Sequence, residues 1–176
     1  AVGAMAAEHL LAAGSRRVAH IRGPEVSTAL GRAEGYRRAL AAHGLAPLAG
    51  YIAAGASGDD RGDVSGYLAM RQLLALEPRP DGVFCYNDPI AMGALKAILE
   101  AGLRVPEDVA VVGCGNVLYA ELLRVPLSSV DQDSASIGKQ AARLALSLLE
   151  SKPRPRPRSV LVKPTLVVRQ SSLRSV

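Results

Sequence analysis

The sequence predicts an α/β fold in which helices cover both faces of a doubly wound parallel sheet. Helix-forming and strand-forming segments alternate along most of the 176 residues, which is the order that βαβ units produce. The segment Val109–Val112 is apolar at every position, as expected of a strand that is buried on both faces of a parallel sheet. A chain of this length is sufficient for one domain with its own core.

The first half of the chain is predicted to begin with a helix and then to alternate strands with helices. Gly14 is well placed to end the first helix in a left-handed conformation. Leu30, Tyr36 and Leu40 have the spacing of one apolar helical face. The predicted elements are a helix over Ala1–Ala13, a strand over Arg16–Ile21, a helix over Thr28–His43, a strand over Tyr51–Ala53, a loop over Gly55–Gly62 and a helix over Val64–Leu76.

The second half is predicted to contain two buried strands before the alternation becomes less regular. The stretch VFCYNDPIAMGAL (Val83–Leu95) is typical of a strand that passes directly into a helix. Pro164 marks a kink or a sheet edge, because proline cannot donate a backbone hydrogen bond. The predicted elements are a strand over Val83–Tyr86, a helix ending near Ala101, a strand over Val109–Val112, an extended piece over Leu127–Val130, a helix over Ser134–Leu149 and two short strands over Val160–Val162 and Leu166–Val168.

The composition is that of a globular protein without a membrane anchor. Apolar residues make up 49% of the chain and charged residues 21%. No apolar run approaches the roughly 18 residues that cross a bilayer, and the N-terminus lacks a basic-then-apolar export signal. Cys85 and Cys114 lie in apolar segments, and no spacing suggests a metal site. We therefore expect a cytoplasmic protein with two buried thiols, no metal and no cofactor.

The net charge of +5 is concentrated in the C-terminal tail. Seven of the 21 basic residues follow Glu150, where no acidic residue occurs, which leaves 14 basic against 16 acidic residues in the preceding chain. Within the tail, KPRPRPR (Lys152–Arg158) alternates proline with cations and is predicted to be extended and solvated. A phosphate-binding strip is the alternative, but the placement of the charge favours a stiff exposed connector.

Polar side chains follow the predicted strands at the positions where each strand passes into the next element. In an open α/β sheet, ligands bind in the crevice outside the carboxyl ends of the strands. Arg32 lies one turn into a helix and therefore near the same edge. The loop residues that meet this criterion are Arg22, Ser27, Asp59, Asp60, Arg61, Asn87, Asp88, Gly115, Asn116, Asp131 and Gln132.

Asn87 and Asp88 are predicted to have different duties at the start of a helix. Aspartate at the N-cap followed by proline is a strong helix start, in which the carboxylate accepts a backbone N–H worth about 1 kcal/mol. A purely structural role is therefore nearly sufficient for Asp88. Asn87 would then precede the cap, and its amide, which both donates and accepts hydrogen bonds, would be able to face a hydroxyl-rich ligand.

Arg32 has two interpretations. A solvated helix face would explain it, as it explains Arg37 and Arg38 nearby. Its place beside Gly31, close to the start of the helix, favours instead a guanidinium at the loop rim. There it would fork onto vicinal hydroxyls or onto a carboxylate.

The sequence does not predict an enzyme. His9, His20 and His43 are scattered over different elements, and no serine or cysteine stands in a nucleophile setting. The GxGxxG fingerprint and the phosphate-binding loop are both absent, since Gly113-Cys114-Gly115 lacks a third glycine. Catalysis on a doubly wound sheet remains only as an alternative.

Several long motifs together define a resemblance. They are EHLLAAGSRRVAHIRGP (8–24), GRAEGYRRALAAHGL (31–45), VFCYNDPIAMGALKAILEAGLRVPEDVAVVGCGN (83–116), PLSSVDQDSASIGKQAARLAL (126–146) and LVVRQSS (166–172). They resemble the LacI/GalR family of bacterial transcription regulators, in the effector-binding part that is similar to periplasmic binding proteins. The resemblance covers nearly the whole chain.

The resemblance implies an effector site at the strand ends. Many relatives have an acid where this chain has Gly115, so a carboxylate that would bind sugar hydroxyls is absent. Arg61 falls near the position of an aromatic ring in some relatives. Both departures make an anionic or modified ligand more plausible than a plain neutral sugar. The predicted effector-binding residues are Arg32, Asn87 and Gln132, with Asn116, Asp88 and Arg61 as further members.

The resemblance also predicts which part of a larger architecture the chain represents. Residues 1–176 would form mainly the second lobe of the effector module, without the helix-turn-helix headpiece. Residues 134–150 would be a helix that crosses to the first lobe, and residues 159–169 would return as strands. Relatives dimerise through this lobe. The matching surface, for which ordinary core packing is the alternative, is Met92, Tyr119, Leu122 and Leu123.

The predicted function is to sense a small molecule for a DNA-binding regulator. A sugar or sugar derivative would bind between two lobes and favour one arrangement by its differential affinity. A homodimer would then bind operator DNA only through the missing headpiece. The alternative is a solute-binding protein of a sugar uptake system, which shares the two-lobe architecture but would be exported and monomeric. The dimer-like surface favours the regulator.

Overall fold

The computed structural model describes residues 1–54, 61–150 and 158–174. Helices and strands alternate through most of these residues, as the sequence predicts. In chain order the elements are α1 (Val2–Ala12), β1 (Val18–Arg22), α2 (Ser27–Ala42), β2 (Ile52–Ala54), α3 (Gly62–Leu74), β3 (Gly82–Cys85), α4 (Asp88–Glu100), β4 (Ala110–Cys114), a 3-10 turn (Leu118–Glu121), β5 (Ser128–Asp131), α5 (Ser134–Glu150), β6 (Thr165–Val167) and a second 3-10 turn (Gln170–Ser172).

The six strands form one sheet in the order β2-β1-β3-β4-β5-β6. The first five strands pair in parallel, and β6 joins the edge antiparallel to β5. The predicted fold class, a doubly wound and mainly parallel α/β sheet, is confirmed. Because the chain winds from β1 to β2 on one side and continues through β3 on the other, the strand order reverses between β1 and β3. Such a reversal opens a crevice at the carboxyl ends of the two strands.

The core consists of two apolar layers, one on each face of the sheet. Strand side chains alternate between the layers: Ala19 and Ile21 of β1 belong to one, whereas Val18 belongs to the other. The α3–α4 layer also contains Met70, Leu73 and Ile98, and the α1–α2 layer contains Leu10, Tyr36 and Phe84. The thiols of Cys85 and Cys114 are both free and buried, as predicted.

Helices α3 and α4 approach so closely that their backbones are in contact. A Cβ added at Gly93 would collide with the main-chain carbonyl of Asp63, and one added at Gly66 would collide with the carbonyl of Ile90. Glycine is therefore required at both positions, because any side chain would have to push the helices apart.

Two local predictions are wrong. Val160–Val162 does not form a strand, since the segment finds no neighbouring strand in the part of the chain that the structure describes and Leu161 is 92% exposed. Leu30 does not belong to the apolar face of α2: it is exposed, whereas Tyr36 and Leu40 are buried. The predicted end of α1 is confirmed, with Gly14 in a left-handed conformation at φ +93°.

Helix α5 contains no buried residue, although it is the most clearly amphipathic helix of the chain. Its apolar side chains include Ile137, Leu146 and Leu149, all of them exposed. An apolar helical face that the fold leaves open needs a partner for its burial.

Some expectations lie outside the described residues. They are the loop positions Asp59 and Asp60 and nearly all of the Pro-rich segment Lys152–Arg158. Over the residues that are described, no helix combines the length and the apolar character needed to cross a bilayer. The same residues contain no group of three His, Cys, Asp or Glu side chains that would hold a metal ion.

Candidate functional site

Arg32 of α2 links the ends of two strands, β3 and β5. The residue lies in the second turn of α2 and is only 8% exposed. Its Nη1 donates to the carbonyl of Tyr86, directly after β3, and its Nη2 donates to Oε1 of Gln132 at 2.9 Å, directly after β5. The structure therefore brings together two predicted site residues that are 100 positions apart in the chain, at the crevice where the strand order reverses.

The positive charge of Arg32 is not neutralised by an anion among the described residues. Both of its hydrogen-bond acceptors are uncharged, and it makes no ion pair there. The ring of Tyr86 lies 4.3 Å from the guanidinium carbon, a distance at which the ring face attracts a cation. A buried guanidinium with neutral partners retains attraction for hydroxyl, carbonyl or anionic groups of a ligand.

Tyr86 is a member of the site that the sequence did not identify. Its hydroxyl lies 3.1 Å from Oγ1 of Thr28, so the side chain spans from the end of β3 to the start of α2. Gly23 provides the space for the ring, because a Cβ there would collide with three ring atoms. The tyrosine thereby fixes one side of Arg32. The available signal was an aromatic residue at the end of a predicted strand, next to Asn87.

The duties of Asn87 and Asp88 are exchanged relative to the prediction. Asn87 is the N-cap of α4, and its Oδ1 accepts the N–H of Ile90 at 3.0 Å. Within the described chain its Nδ2 makes no hydrogen bond, so the amide nitrogen remains available at the rim. Asp88 is instead fully buried. Its carboxylate accepts Oγ–H of Ser129 at 2.6 Å and N–H of Val117 at 2.9 Å.

Asp88 is held by internal bonds in this structure, and its effector contact stays a prediction. Both carboxylate oxygens are already used, and the side chain lies beneath the rim with no exposed surface. By holding Ser129 and the loop after β4, Asp88 joins three strand ends to the first turn of α4. A carboxylate at a helix N-terminus is also favoured by the helix dipole.

Asn116 lies at the rim, but both ends of its amide are used internally. Its Oδ1 accepts Nη2 of Arg169 at 2.9 Å, and its Nδ2 donates to Oδ2 of Asp131 at 2.9 Å. This network positions the loop after β4. The effector contact of Asn116 stays a prediction.

Gly115 has a conformational reason to be glycine. Its φ is +128°, which side chains other than hydrogen rarely tolerate. A Cβ at this position would also lie 3.4 Å from the carboxylate of Asp88. The backbone conformation at Gly115 therefore explains why no acidic side chain stands at this position of the rim. The loop presents main-chain groups there instead.

Arg61 lies apart from the cluster around Arg32. It is the N-cap of α3 and lines a cavity of about 570 Å³ between α3, α4 and the segment before β5. In the described residues it forms no hydrogen bond with Arg32, Asn87 or Gln132. Arg32 and Gln132 are thus joined at the rim, whereas Arg61 lines the flank of the lobe. That cavity also contains Met92 and Leu123 of the predicted dimer surface.

His20 contributes no charge near the site. The ring is fully buried, stacks on Phe84 at 4.7 Å and bonds the Phe84 carbonyl through Nδ1 at 2.9 Å. Its Nε2 has no partner among the described residues. Burial lowers the pKa of His20 to about 4, helped by the charges of neighbouring arginines. The imidazole is neutral at neutral pH, so Arg32 remains the dominant charge at the crevice.

The fold is a lobe built on a mainly parallel sheet, with polar side chains gathered at the carboxyl edge of its strands. A model of the periplasmic binding protein-like domain matches residues 7–172. The chain belongs to this family, in the form that serves as the effector-binding domain of LacI-family regulators.

The relatives identified by sequence and those identified by structure are both transcription regulators. The HTH-type transcriptional repressor PurR of Escherichia fergusonii is 38% identical over 170 residues, which cover 96% of this chain and 48% of the repressor. A complex of the transcriptional regulator CelR with cellobiose has a TM-score of 0.87 at 36% identity, covering 96% of this chain and 50% of that one. A LacI-family regulatory protein from Chloroflexus aggregans has a TM-score of 0.86 at 31% identity, covering 96% and 59%.

The chain spans about half the length of the curated relatives it matches. These relatives are transcription regulators, which agrees with the prediction that the chain is not an enzyme. The predicted family and the predicted fold class are both confirmed.

Proposed function

We propose that the chain is the effector-binding lobe of a LacI-type transcription regulator. A small molecule of the sugar or sugar-derivative class binds at the rim and changes operator binding by a DNA-binding segment outside this chain. The observation that carries the proposal is Arg32, which is buried at the reversal of strand order and bonded to both Tyr86 and Gln132. The crevice at this point is where open α/β sheets bind ligands.

The proposed contacts are Arg32, Asn87 and Gln132. The guanidinium of Arg32, Nδ2 of Asn87 and the amide group of Gln132 supply several donors and one amide acceptor at a single edge. Such a set suits vicinal hydroxyls, and a carboxylate or phosphate group would also satisfy Arg32. The solved complex of CelR with cellobiose supports a sugar-like ligand, while Gly115 at the rim leaves room for an anionic or modified one.

The chain is proposed to act as one half of a two-lobed module. Support comes from α5, whose Leu146 and Leu149 are exposed on an unburied helix, and from Leu161 in the following segment. A first lobe that covered these side chains would bury apolar surface worth roughly 25 cal/mol per Å². A ligand between the lobes would favour the closed arrangement by its differential affinity.

A calorimetric and thermal-shift screen of the intact protein tests this function. The panel consists of neutral sugars, sugar acids, sugar phosphates and nucleosides. A true effector raises the melting temperature with concentration, since a ligand at 100 times its Kd stabilises the folded state by about 2.7 kcal/mol. It must also change the affinity for operator DNA at fixed salt. A panel that binds nowhere, or a ligand that binds without any change in operator affinity, contradicts the proposal.

The regulator is further proposed to dimerise through the flank formed by α3, α4 and the 3-10 turn at Leu118–Glu121. Leu122 is 80% exposed, which removes ordinary core packing as its explanation. Tyr119 is also exposed, whereas Met92 and Leu123 are partly buried beside the flank cavity. An apolar patch of this kind on a regulator lobe is typical of an interface between subunits.

Leu122→Asp is expected to convert the intact protein from dimer to monomer with little loss of subunit stability. The side chain is already in water, so the change costs less than about 0.5 kcal/mol of folding free energy, but a buried charge would oppose association. Sedimentation velocity at micromolar concentration measures the result. Leu173→Asp, at an exposed leucine outside the flank cavity, serves as the control. A wild-type monomer would favour a solute-binding protein instead.

A further inference from the structure

Arg169 connects the last strand of the sheet to the loop after β4. It follows β6, and its Nη1 donates to the carbonyl of Leu127 at 2.8 Å while its Nη2 donates to Oδ1 of Asn116 at 2.9 Å. Its main-chain N–H and carbonyl both bond the hydroxyl of Ser128, at 2.8 and 2.9 Å. The residue is thus anchored at its backbone, and its guanidinium has one fixed direction.

The Arg169 guanidinium determines which way the Asn116 amide points. Because Arg169 can only donate, Asn116 must present its oxygen to it. The amide nitrogen is then turned toward Asp131, whose Oδ2 accepts it at 2.9 Å. The other carboxylate oxygen, Oδ1 of Asp131, accepts the N–H of Asp133 at 2.7 Å. One chain of hydrogen bonds therefore runs from the last strand to the turn that precedes α5.

Two members of this chain of hydrogen bonds, Asn116 and Asp133, have unusual backbone conformations. Asn116 has φ +48° and Asp133 has φ +52°. Within residues 1–54, 61–150 and 158–174, these are the only residues other than glycine with positive φ. Such conformations are costly for residues with a Cβ, and they persist where surrounding contacts enforce them. The side-chain bonds of Asn116 and Asp131 are the contacts that do so here.

The same turn belongs to the rim. Gln132 lies between Asp131 and Asp133, and its Oε1 accepts Nη2 of Arg32 at 2.9 Å. Helix α5 begins at Ser134, and Oδ1 of Asp133 accepts the N–H of Ser136 at 3.1 Å. A displacement of the turn would therefore move a proposed effector contact and the start of α5 together.

We propose that Arg169 is a positioning residue for the effector site. By holding the Asn116 oxygen, it orients the amide toward Asp131 and thereby fixes the turn at Asp131–Asp133, from which Gln132 reaches Arg32 and α5 departs. Binding of an effector at Arg32 would be felt at α5 through this turn. The importance of Gln132 rests on the proposed function, whereas the dependence of the turn on Arg169 does not.

Residue-resolved amide hydrogen exchange of the intact protein without ligand tests the proposal. Arg169→Met keeps the length of the side chain and removes both guanidinium bonds. We expect the amides of Asp133 and Ser136 to exchange about tenfold faster, since a hydrogen bond to a charged group is worth roughly that factor or more. The matched control is Arg174→Met, which removes a guanidinium that bonds the carbonyls of Pro106 and Asp81 elsewhere in the fold. It should leave these two amides unchanged.

A double-mutant cycle separates positioning from simple attachment of β6. In an Asn116→Gly background the amide relay is already lost, so adding Arg169→Met should accelerate Asp133 exchange no further. The proposal would be overturned if Arg169→Met accelerated Asp133 exchange equally in both backgrounds or not at all. It would also be overturned if Arg174→Met gave the same acceleration. If Arg169→Met does not fold, Asn116→Gly alone tests the relay, because it removes the donor to Asp131 without adding a charge and tolerates the positive φ. Unchanged Asp133 exchange in that variant would refute the relay.

No effector is needed for these measurements. A failed ligand screen would leave the relay standing, and an unchanged turn in Arg169→Met would leave the effector assignment standing. The two proposals are therefore contradicted by different results.

Discussion

Arg32→Ala in the intact protein is expected to lower effector affinity by 100-fold or more, and so to abolish the effector's influence on operator binding. The substitution removes the charged donor that lies between Tyr86 and Gln132. Hydrogen bonds to charged groups contribute about 1.5–3 kcal/mol each, and the loss of two corresponds to two or more orders of magnitude in Kd. Operator affinity without effector should remain at the wild-type value, because the substitution lies in the sensing lobe.

Isothermal titration with the effector and fluorescence anisotropy with operator DNA at one salt concentration measure the two quantities. Arg38→Ala is the matched control, since Arg38 lies on the same helix but is exposed to solvent. It should leave both affinities unchanged. Retention of the effector response in Arg32→Ala would remove Arg32 from the site, and the proposed function would lose its main support.

Asp88→Ala is expected to destabilise the folded lobe by about 4 kcal/mol. The change leaves the buried hydroxyl of Ser129 and the N–H of Val117 without an acceptor, and each such group costs about 1–3 kcal/mol. It also removes a negative charge from the first turn of α4. Urea denaturation, followed by circular dichroism, measures the loss as a lower midpoint at unchanged slope.

Asp63→Ala provides the comparison for Asp88. Both aspartates lie in the first turn of a helix, but Asp63 of α3 is exposed. Its replacement should change the free energy of unfolding by less than about 0.5 kcal/mol. A similar small loss for Asp88→Ala would show that the carboxylate is replaceable by water, and that its role at the junction of three strand ends is minor.

The sheet was predictable because its strands carry local signals. Val109–Val112 is apolar throughout, and the structure places β4 in the middle of the sheet with every residue buried. Arg32 and Gln132 were placed near the carboxyl edge from their positions close to strand ends, and the structure joins them by a hydrogen bond. The bond between them could not be predicted from periodicity, because it depends on how α2 and β5 are brought together.

The errors at the site have non-local causes. Capping preferences favoured Asp88 over Asn87 as the N-cap, but the fold uses the Asp88 carboxylate for Ser129 and Val117, which are far away in sequence. Asn87 then caps the helix. Arg169 was overlooked because a single cation after a short edge strand has no pattern that distinguishes it from a solvated side chain. Its partner Asn116 becomes visible only when the loops are placed together.

Arg61 shows the limit of the rule that polar residues after strands line the ligand crevice. Its position after β2 is correct for the rule, yet the side chain lines the cavity on the flank of the lobe. An N-cap residue can point either inward over the sheet or outward along the helix. Sequence position alone does not distinguish the two directions.

The contact of α3 and α4 through Gly66 and Gly93 has a mechanical consequence. Because the two helices touch along their main chains, they cannot slide past each other without first separating. The pair therefore behaves as one rigid unit. Asn87 lies at one end of this helix pair, at the carboxyl edge of the sheet. Met92 lies on its outer face, in the flank cavity. A tilt of the pair at the Asn87 end would therefore move the Met92 side with it.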